Sequence, residues 1–188
     1  MNATIDLTDT RELRDVLGRF ATGVCVVTGR DAAGETVGMT CQSFMGVSLD
    51  PPLVLVSVMK TSRTLPHLKS DAGFAVSVLG EGDEAVSAMA GSKAADKFEQ
   101  IPLTTTSHGQ QVVKGAPAWF ACELEAWVEA GDHDLLIGRV LEAGPAGSDR
   151  RPLLFHGGRY ASLVNESVVP VSADLSSLLT ATGPGTWF

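Results

Sequence analysis

The sequence is short of basic residues. Its 188 residues include 14 Lys and Arg against 22 Asp and Glu, which gives a formal net charge of -8 at pH 7. Proteins that bind nucleic acids need a surplus of cations to displace counterions from the phosphate backbone, so this balance argues against a nucleic-acid partner. A small phosphate-bearing ligand is not excluded, because it requires only two or three local hydrogen-bond donors.

Cysteine is also scarce. The three cysteines, Cys25, Cys41 and Cys122, are far apart in the sequence, and no CxxC pair or Cys/His cluster is present. This spacing supports neither a disulfide framework nor a zinc site, so we predict no bound metal. The thiols are expected to stay reduced and to pack as small apolar side chains.

Long hydrophobic runs and targeting signals are missing as well. No apolar stretch reaches membrane-spanning length, and the N-terminus lacks the basic and apolar regions of a signal peptide. We therefore predict a cytoplasmic protein without a membrane partner.

Several common catalytic signatures are absent. The sequence contains neither a Walker-type lysine motif nor a GxGxxG motif, which argues against a P-loop or Rossmann nucleotide site. No nucleophile elbow is present, and the acidic residues are scattered rather than paired, so a hydrolase is poorly supported.

The residues that are present predict one domain rich in strands. Hydrophobic residues make up 44% of the chain and charged residues 19%, and a chain of this length can bury a sizeable core. Six or seven strand-like segments with few helices indicate a mainly β fold with accessory helices, built as a closed antiparallel barrel. We place the domain at residues 1–164 and a C-terminal tail, packed on the body or mobile, at 165–188.

The order of elements follows from hydrophobic periodicity and turn residues. We predict helices or helical segments over 8–21, 64–70 and 81–98, and a polar loop over 99–115. The strand over 53–59 is apolar at nearly every position, so it is expected to be covered on both faces. The other predicted strands cover residues 24–28, 36–43, 73–79, 118–130 and 135–142, with two short strands in 153–163.

One stretch, residues 38–64, combines two kinds of polar chemistry. Its first strand ends in the small polar side chains of Thr40, Cys41, Gln42 and Ser43, which allow a flat polar ring to lie against the backbone. Its second strand ends in the loop Lys60-Thr-Ser-Arg-Thr64, whose hydroxyls and cations suit a phosphate. A ring at one end and a phosphate at the other describe a flavin nucleotide. The alternatives are an ordinary half-exposed strand and a solvated turn.

Two histidines lie in turns. His133 follows Gly131-Asp132 at a hairpin tip, where it can donate a hydrogen bond to a substrate amide or phosphate. His156 precedes Gly157-Gly158 and Tyr160, the only tyrosine, at a place where a ligand can approach the backbone closely. A merely solvated histidine and a tight turn are the respective alternatives.

Eight segments occur together in one order: Arg19-Phe-Ala-Thr-Gly-Val24, Gly38-Met-Thr-Cys-Gln-Ser-Phe44, Val47-Ser-Leu-Asp-Pro-Pro-Leu-Val54, Ser62-Arg-Thr64, Phe74-Ala-Val-Ser-Val-Leu79, Lys97-Phe98, Gly131-Asp-His133 with Gly138, and Pro152-Leu-Leu-Phe-His-Gly-Gly-Arg-Tyr160. In this combination, over about residues 10–163, the sequence resembles the short-chain flavin reductase family. These proteins are the NAD(P)H:flavin oxidoreductase components of two-component flavin monooxygenases.

The resemblance implies an FMN-binding split barrel, usually a homodimer, that reduces FMN or FAD with NADH or NADPH and supplies a partner monooxygenase. It also implies residue roles. The predicted flavin-binding residues are Thr40, Cys41, Gln42 and Ser43 at the ring, Ser57, Val58 and Met59 beside the ring and ribityl chain, and Ser62, Arg63, Thr64, Ser92 and Lys97 at the phosphate. His133, the predicted catalytic residue, and Tyr160 are placed on the nicotinamide side.

Two positions depart from the family pattern. Gln42 is commonly asparagine and Cys41 commonly alanine in this family, which affects the expected flavin affinity or FMN/FAD preference. Two other functions stay open at this point: a self-contained flavoenzyme on the same barrel, and a non-catalytic flavin-binding or assembly module.

Overall fold

The β-branched and aromatic segments of the sequence pair into one large sheet. The structure is a computed structural model that describes residues 4–70, 73–145 and 149–163. The predicted tail, 165–188, lies outside the described residues, so the division at residue 164 stays a prediction.

Helices are few and short. They are α1 (Thr10–Leu17), α2 (Leu65–Leu68) and α3 (Glu84–Gly91), together with a 3-10 helix at Lys97–Glu99. The strands, in chain order, are β1 (Thr22–Gly23), β2 (Cys25–Arg30), β3 (Thr36–Cys41), β4 (Met45–Leu49), β5 (Pro52–Met59), β6 (Phe74–Val78), β7 (Leu103–Thr105), β8 (Gln111–Val113), β9 (Ala118–Ala130), β10 (His133–Pro145), β11 (Leu154–His156) and β12 (Arg159–Ala161).

The main sheet has seven strands in the order β3-β2-β6-β9-β10-β5-β4. Its backbone ladder leaves β3 and β4 as edge strands, so the barrel is split rather than closed. Ser43, just after β3, bridges the split: its hydroxyl donates to the Ser57 carbonyl oxygen and accepts from the Ser57 N–H, both at 2.9 Å. The mainly β split barrel that the resemblance implies is confirmed, whereas the closed barrel predicted from the strand pattern is wrong.

Two apolar cores lie on opposite faces of β2. Cys25 and Val27 face the barrel interior, with residues of β5, β6 and α2. Val24, just before the strand, and Val26 face an outer layer formed by α3, the β7–β8 hairpin and Leu153. Side chains along β2 alternate between these two faces. Because β3 pairs with β2 residue by residue, each β3 side chain lies on the same face as its β2 partner.

The cover predicted for both faces of β5 is found on one face only. Val54, Val56 and Val58 are buried in the barrel, whereas Leu55 and Ser57 on the other face are half-buried. The apolar run reflects a second face that the described residues do not cover.

The polar segment 99–115 was predicted as a loop, and that prediction was wrong. It holds the hairpin β7–β8, whose Val112 and Val113 are buried against the main sheet. These strands are only three residues long, so their periodicity is too short to stand out from the polar residues around them. The first helix is also shorter than predicted and ends at Leu17, while Asp9 caps its start by accepting from the N–H groups of Arg11 and Glu12.

Gly138 allows β10 to pass close to the aromatic ring of Phe74. A Cβ atom at this position would lie 2.5 Å from Phe74 Cζ and 3.0 Å from Cys122 Cβ. We expect Gly138→Ala to lower the free energy of unfolding by about 2 kcal/mol, because neither buried neighbour can move freely. Urea unfolding measures the effect. Gly23→Ala is the control, since a Cβ there meets nothing within 4 Å; equal losses in both variants would contradict this packing.

Candidate functional site

The predicted ring-facing segment uses most of its side chains for internal contacts. Thr40 points outward to α3 and donates to the Ser87 carbonyl oxygen at 2.6 Å. Cys41 is buried in the barrel, and the Ser43 hydroxyl is occupied by Ser57. Gln42 is the exposed member of the segment, and its Oε1 accepts a hydrogen bond from Thr22 at 3.2 Å. A ring at this place would therefore meet Gln42 and the backbone.

The residues of β5 predicted to contact the flavin also differ in whether their side chains are free to bind it. Val58 is fully buried, with its side chain inside the barrel, so it cannot touch a ligand on the outer face. Ser57 gives both backbone groups to Ser43. Met59 at the end of the strand is 46% exposed, which leaves its thioether available as an apolar contact.

Burial controls the chemistry of the three thiols. It raises the pKa of the Cys122 thiol to about 12 and raises the pKa values of Cys25 and Cys41 above their ordinary value of 9.0. The nearby Cys41 raises the pKa of Cys25 further. All three are free thiols, and Cys41 stays neutral beside the candidate ring site, so it is no nucleophile at neutral pH.

These raised pKa values predict a pH-dependent stability. Below about pH 9 the thiols are neutral in both folded and unfolded chains; above it the unfolded thiols ionise while the folded ones do not, so stability falls as pH rises. For Cys122 this slope is about 1.4 kcal/mol per pH unit between pH 9 and 12. Urea unfolding from pH 8 to 11 tests it, and Cys122→Ala is expected to lose that part of the slope. A Cys122→Ala variant with the same slope as the wild type would contradict the raised pKa of Cys122.

The loop after β5 presents one arginine at the surface. The hydroxyl of Ser62 contacts Met39 Sδ at 3.7 Å and accepts from the Thr64 N–H at 3.3 Å. The Thr64 hydroxyl donates to the Gly38 carbonyl oxygen. Arg63 is exposed, and its Nη2 donates to the Lys93 carbonyl oxygen at 3.3 Å. The two hydroxyls therefore shape the loop, while the guanidinium keeps further donors for an anion.

Lys97 brings a second cation close to Arg63. Its ammonium donates to the carbonyl oxygens of Ala90 and Ser92, at 2.6 and 3.0 Å. Ser92 belongs to the same turn and accepts the Ala94 N–H with its hydroxyl. Burial lowers the pKa of Lys97, and the charge of Arg63 lowers it further. An anion bound between the two cations would offset this repulsion.

His133 opens β10 directly opposite Met59 of β5. Its Nδ1 lies 2.6 Å from Asp132 Oδ1, and this hydrogen bond lowers the pKa of the Asp132 carboxyl. The Asp132 carbonyl oxygen accepts the N–H of Lys60, the residue that follows Met59. The structure thus places His133 beside the start of the Arg63 loop, with its side chain 36% exposed.

Tyr160 lies beside α3 rather than beside the histidine hairpin. Its hydroxyl donates to Ser87 Oγ at 2.9 Å, and the carbonyl oxygen of the same serine accepts from Thr40. The two residues predicted on the nicotinamide side, His133 and Tyr160, therefore contact different elements. Sequence reasoning missed Ser87, which is 2% exposed, because a serine in a short helix carries no signal that separates a buried side chain from a solvated one.

Two clefts lie near opposite ends of β3. The Arg63 cleft, of about 180 Å³, is lined by Thr36, Val37, Gly38, Arg63, Thr64, His67, Ala94, Ala95, Lys97 and Phe98. The Gln42 cleft, of about 350 Å³, is lined by Phe20, Ala21, Thr22, Gly23, Cys25, Gln42, Phe44 and Val78. Gly38 and Gln42 are four residues apart, about 13 Å along an extended chain. This spacing suits a ligand with a flat ring at one end and a phosphate at the other.

A larger cleft of about 700 Å³ adjoins the Gln42 cleft, with which it shares Phe20, Thr22 and Gln42. Its lining includes Arg14 and Arg19 together with Gly157 and Gly158. We call it the α1 cleft.

The described residues form neither a metal-binding cluster nor a helix able to span a membrane. Within 4–70, 73–145 and 149–163, no group of three or more His, Cys, Asp and Glu side chains is arranged to hold a metal ion. No helix in this part of the chain is both long and apolar enough to cross a membrane.

Comparison with known proteins identifies the class. Residues 17–164 match the family model of the flavin reductase like domain, which is most of the chain. This protein therefore belongs to the flavin reductase-like family.

Individual relatives narrow the class further. The reductase subunit HsaB of a flavin-dependent monooxygenase from Rhodococcus jostii (strain RHA1) is 39% identical over 181 residues, 95% of this chain and 92% of the relative. The NADH-dependent flavin reductase StyB of Pseudomonas fluorescens is 39% identical over 153 residues, 81% of this chain and 89% of the relative. The NADH:FAD oxidoreductase SgcE6 of Streptomyces globisporus, solved with NAD and FAD fragments, superposes with a TM-score of 0.82 at 35% identity, covering 88% of this chain and 99% of that chain.

These matches confirm the family resemblance and the predicted class, an NAD(P)H:flavin oxidoreductase. The roles assigned to single residues stay predictions, for which the geometry above is the support.

Proposed function

We propose that this protein is the reductase component of a two-component flavin monooxygenase system. It transfers hydride from NADH or NADPH to FMN or FAD and releases the reduced flavin to a partner oxygenase. The observation that carries the proposal is the pairing of the Arg63 cleft, which two cations line, with the Gln42 cleft, at a separation of about 13 Å along the chain from Gly38 to Gln42.

Different residues bind the flavin phosphate, the flavin ring and the nicotinamide nucleotide. Arg63, with Lys97 behind it, binds the flavin phosphate through charge-assisted hydrogen bonds. Gln42 and the backbone around it face the ring, while Thr40 and Ser43 hold that backbone in place through their bonds to Ser87 and Ser57. His133 donates to the reduced nicotinamide nucleotide and orients it.

Hydride transfer needs little acid-base chemistry from the chain. The flavin supplies the hydride acceptor when it is bound, and the protein brings the two rings together in the right orientation. This accounts for a site without a catalytic dyad. The buried neutral thiol of Cys41 fits the same account, because it adds no charge beneath the ring.

The proposed assembly is a homodimer. Edge strand β4 exposes Met45, Val47 and Leu49, and α1 with the turn after it exposes Leu17 and Phe20. The outer edge of β4 has no partner strand among the described residues, and an edge strand with an apolar face is a surface that proteins normally cover. A second copy of this chain would cover it together with the half-buried face of β5. Within the cell we place the protein in the cytoplasm, where its nucleotide substrates are found.

One assay tests the function. Oxidation of NADH and of NADPH is followed at 340 nm with FMN, FAD and riboflavin in turn. We expect rapid, flavin-dependent oxidation and free reduced flavin as product. Protein that keeps a yellow cofactor through dialysis and does not reduce added flavin would be a self-contained flavoenzyme, and protein that binds no flavin would be a binding or assembly module; either result would overturn the proposal.

A further inference from the structure

A partly buried ion pair joins the end of α2 to the strand that carries His133. Lys69 Nζ lies 2.5 Å from Asp134 Oδ2, with side chains 24% and 5% exposed. Asp134 follows His133 in β10, and Lys69 is the C-cap residue of α2, the helix that begins directly after the Arg63 loop. The contact therefore links the segment behind the proposed phosphate site to the proposed nicotinamide-binding hairpin.

The surroundings make this pair the main anchor of the Asp134 carboxylate. Asp134 lies opposite Val58 in the barrel, and its Oδ1 is buried without a hydrogen-bond partner among the described residues. Lys69 also lies over the ring of Trp127 on the other hairpin strand, 4.6 Å from its centroid. A single lysine thus neutralises the acid and contacts both strands of the hairpin.

Other contacts at the hairpin end are weaker. Lys60 pairs with Glu129 at 2.9 Å, but the two side chains are 38% and 74% exposed, and exposed ion pairs fix geometry poorly. Beyond these side chains, the backbone ladder pairs His133 with Met59 and Ala130, and the Lys60 N–H donates to the Asp132 carbonyl oxygen. Residues 128–132 are exposed throughout. The pair of Lys69 and Asp134 is therefore the least exposed ion pair at this end of the hairpin, and it adds to the backbone ladder a side-chain restraint on the strand that carries His133.

We propose that Lys69 and Asp134 are positioning residues for the reductase reaction: their ion pair fixes the hairpin, and with it His133, relative to the Arg63 loop. The proposal rests on the proposed function. Neither residue touches substrate; each acts through the placement of the histidine. Loss of the pair lets His133 move, and a displacement of about 1 Å at a substrate-orienting group can cost up to a hundredfold in efficiency.

The test compares single and double variants. Lys69→Met and Asp134→Leu each leave one charged partner behind, so both are expected to unfold at lower temperature. The double variant removes both charges and should regain most of that stability. We nevertheless expect its KM for the reduced nicotinamide nucleotide to be raised about tenfold, with kcat changed less than about twofold. FMN affinity should change less than about threefold, because Arg63 is held by Lys93.

Arg139→Met is the matched control. Arg139 pairs with Glu125 at 2.8 Å across the same two strands, on a more exposed face and away from His133. Its KM should equal that of the wild type. A double variant whose KM also returns to the wild-type value, or a control with the same rise, would overturn the proposal.

A second measurement is independent of activity. Amide hydrogen exchange of residues 130–134 should be about tenfold faster in the double variant and unchanged in the control. If the wild type oxidises neither nucleotide with any flavin, the proposed function fails, whereas the exchange rates still decide whether the pair anchors the hairpin. Unchanged exchange in the double variant would overturn the proposal.

Discussion

Replacing Arg63 with alanine is expected to weaken FMN binding by about 10- to 100-fold, while riboflavin binding changes less than about threefold. The difference arises because riboflavin lacks the phosphate that the guanidinium binds. Arg63 is exposed, and its one described contact is with the Lys93 carbonyl oxygen, so its loss should disturb the fold little. Titration followed by flavin fluorescence gives both dissociation constants.

The control for this substitution is Arg139→Ala. Arg139 is a partly exposed arginine on β10 whose partners are Glu123 and Glu125. It removes the same charge from the protein without touching the Arg63 cleft, so both flavins should bind as they do to the wild type. Equal losses for FMN and riboflavin in Arg63→Ala would remove the phosphate assignment.

Replacing His133 with alanine is expected to raise the KM for the reduced nicotinamide nucleotide by about tenfold and to change FMN affinity by less than about twofold. His133 lies opposite Met59, beside the Arg63 loop, with an exposed Asp132 partner. We propose that it contacts the reduced nicotinamide nucleotide beside that loop. Steady-state kinetics at saturating FMN measure the KM.

His108→Ala serves as the control for the histidine variant. His108 is exposed in the turn between β7 and β8, on a hairpin that does not line the Arg63 or the Gln42 cleft. Its kinetics should match those of the wild type. An unchanged KM in His133→Ala would show that the histidine does not bind the reductant.

The fold was predictable wherever periodicity ran long enough. The strand at 118–130 was located to the residue, since thirteen residues of alternating pattern are bounded by proline and glycine. The hairpin β7–β8 was missed because each strand is three residues long. The half-covered face of β5 was also missed, because an apolar run indicates burial without indicating what covers it.

The candidate site was predictable in its location but not in the use of its side chains. Sequence reasoning grouped Thr40, Gln42 and Ser43 as equivalent polar contacts. The structure shows that Thr40 and Ser43 bond to backbone carbonyl oxygens far away in sequence, at Ser87 and Ser57. Partners so distant carry no local pattern. The same reason hid the pairing of Lys69 with Asp134, which are 65 residues apart.

A crystal structure of the protein with bound FMN tests the central claim most directly. The account predicts that the phosphate lies within hydrogen-bonding distance of Arg63, between that residue and Lys97, and that the ring lies against Gln42 in the Gln42 cleft. An FMN molecule whose phosphate is instead bound by Arg14 and Arg19 in the α1 cleft, with the Arg63 cleft free of it, would contradict the account.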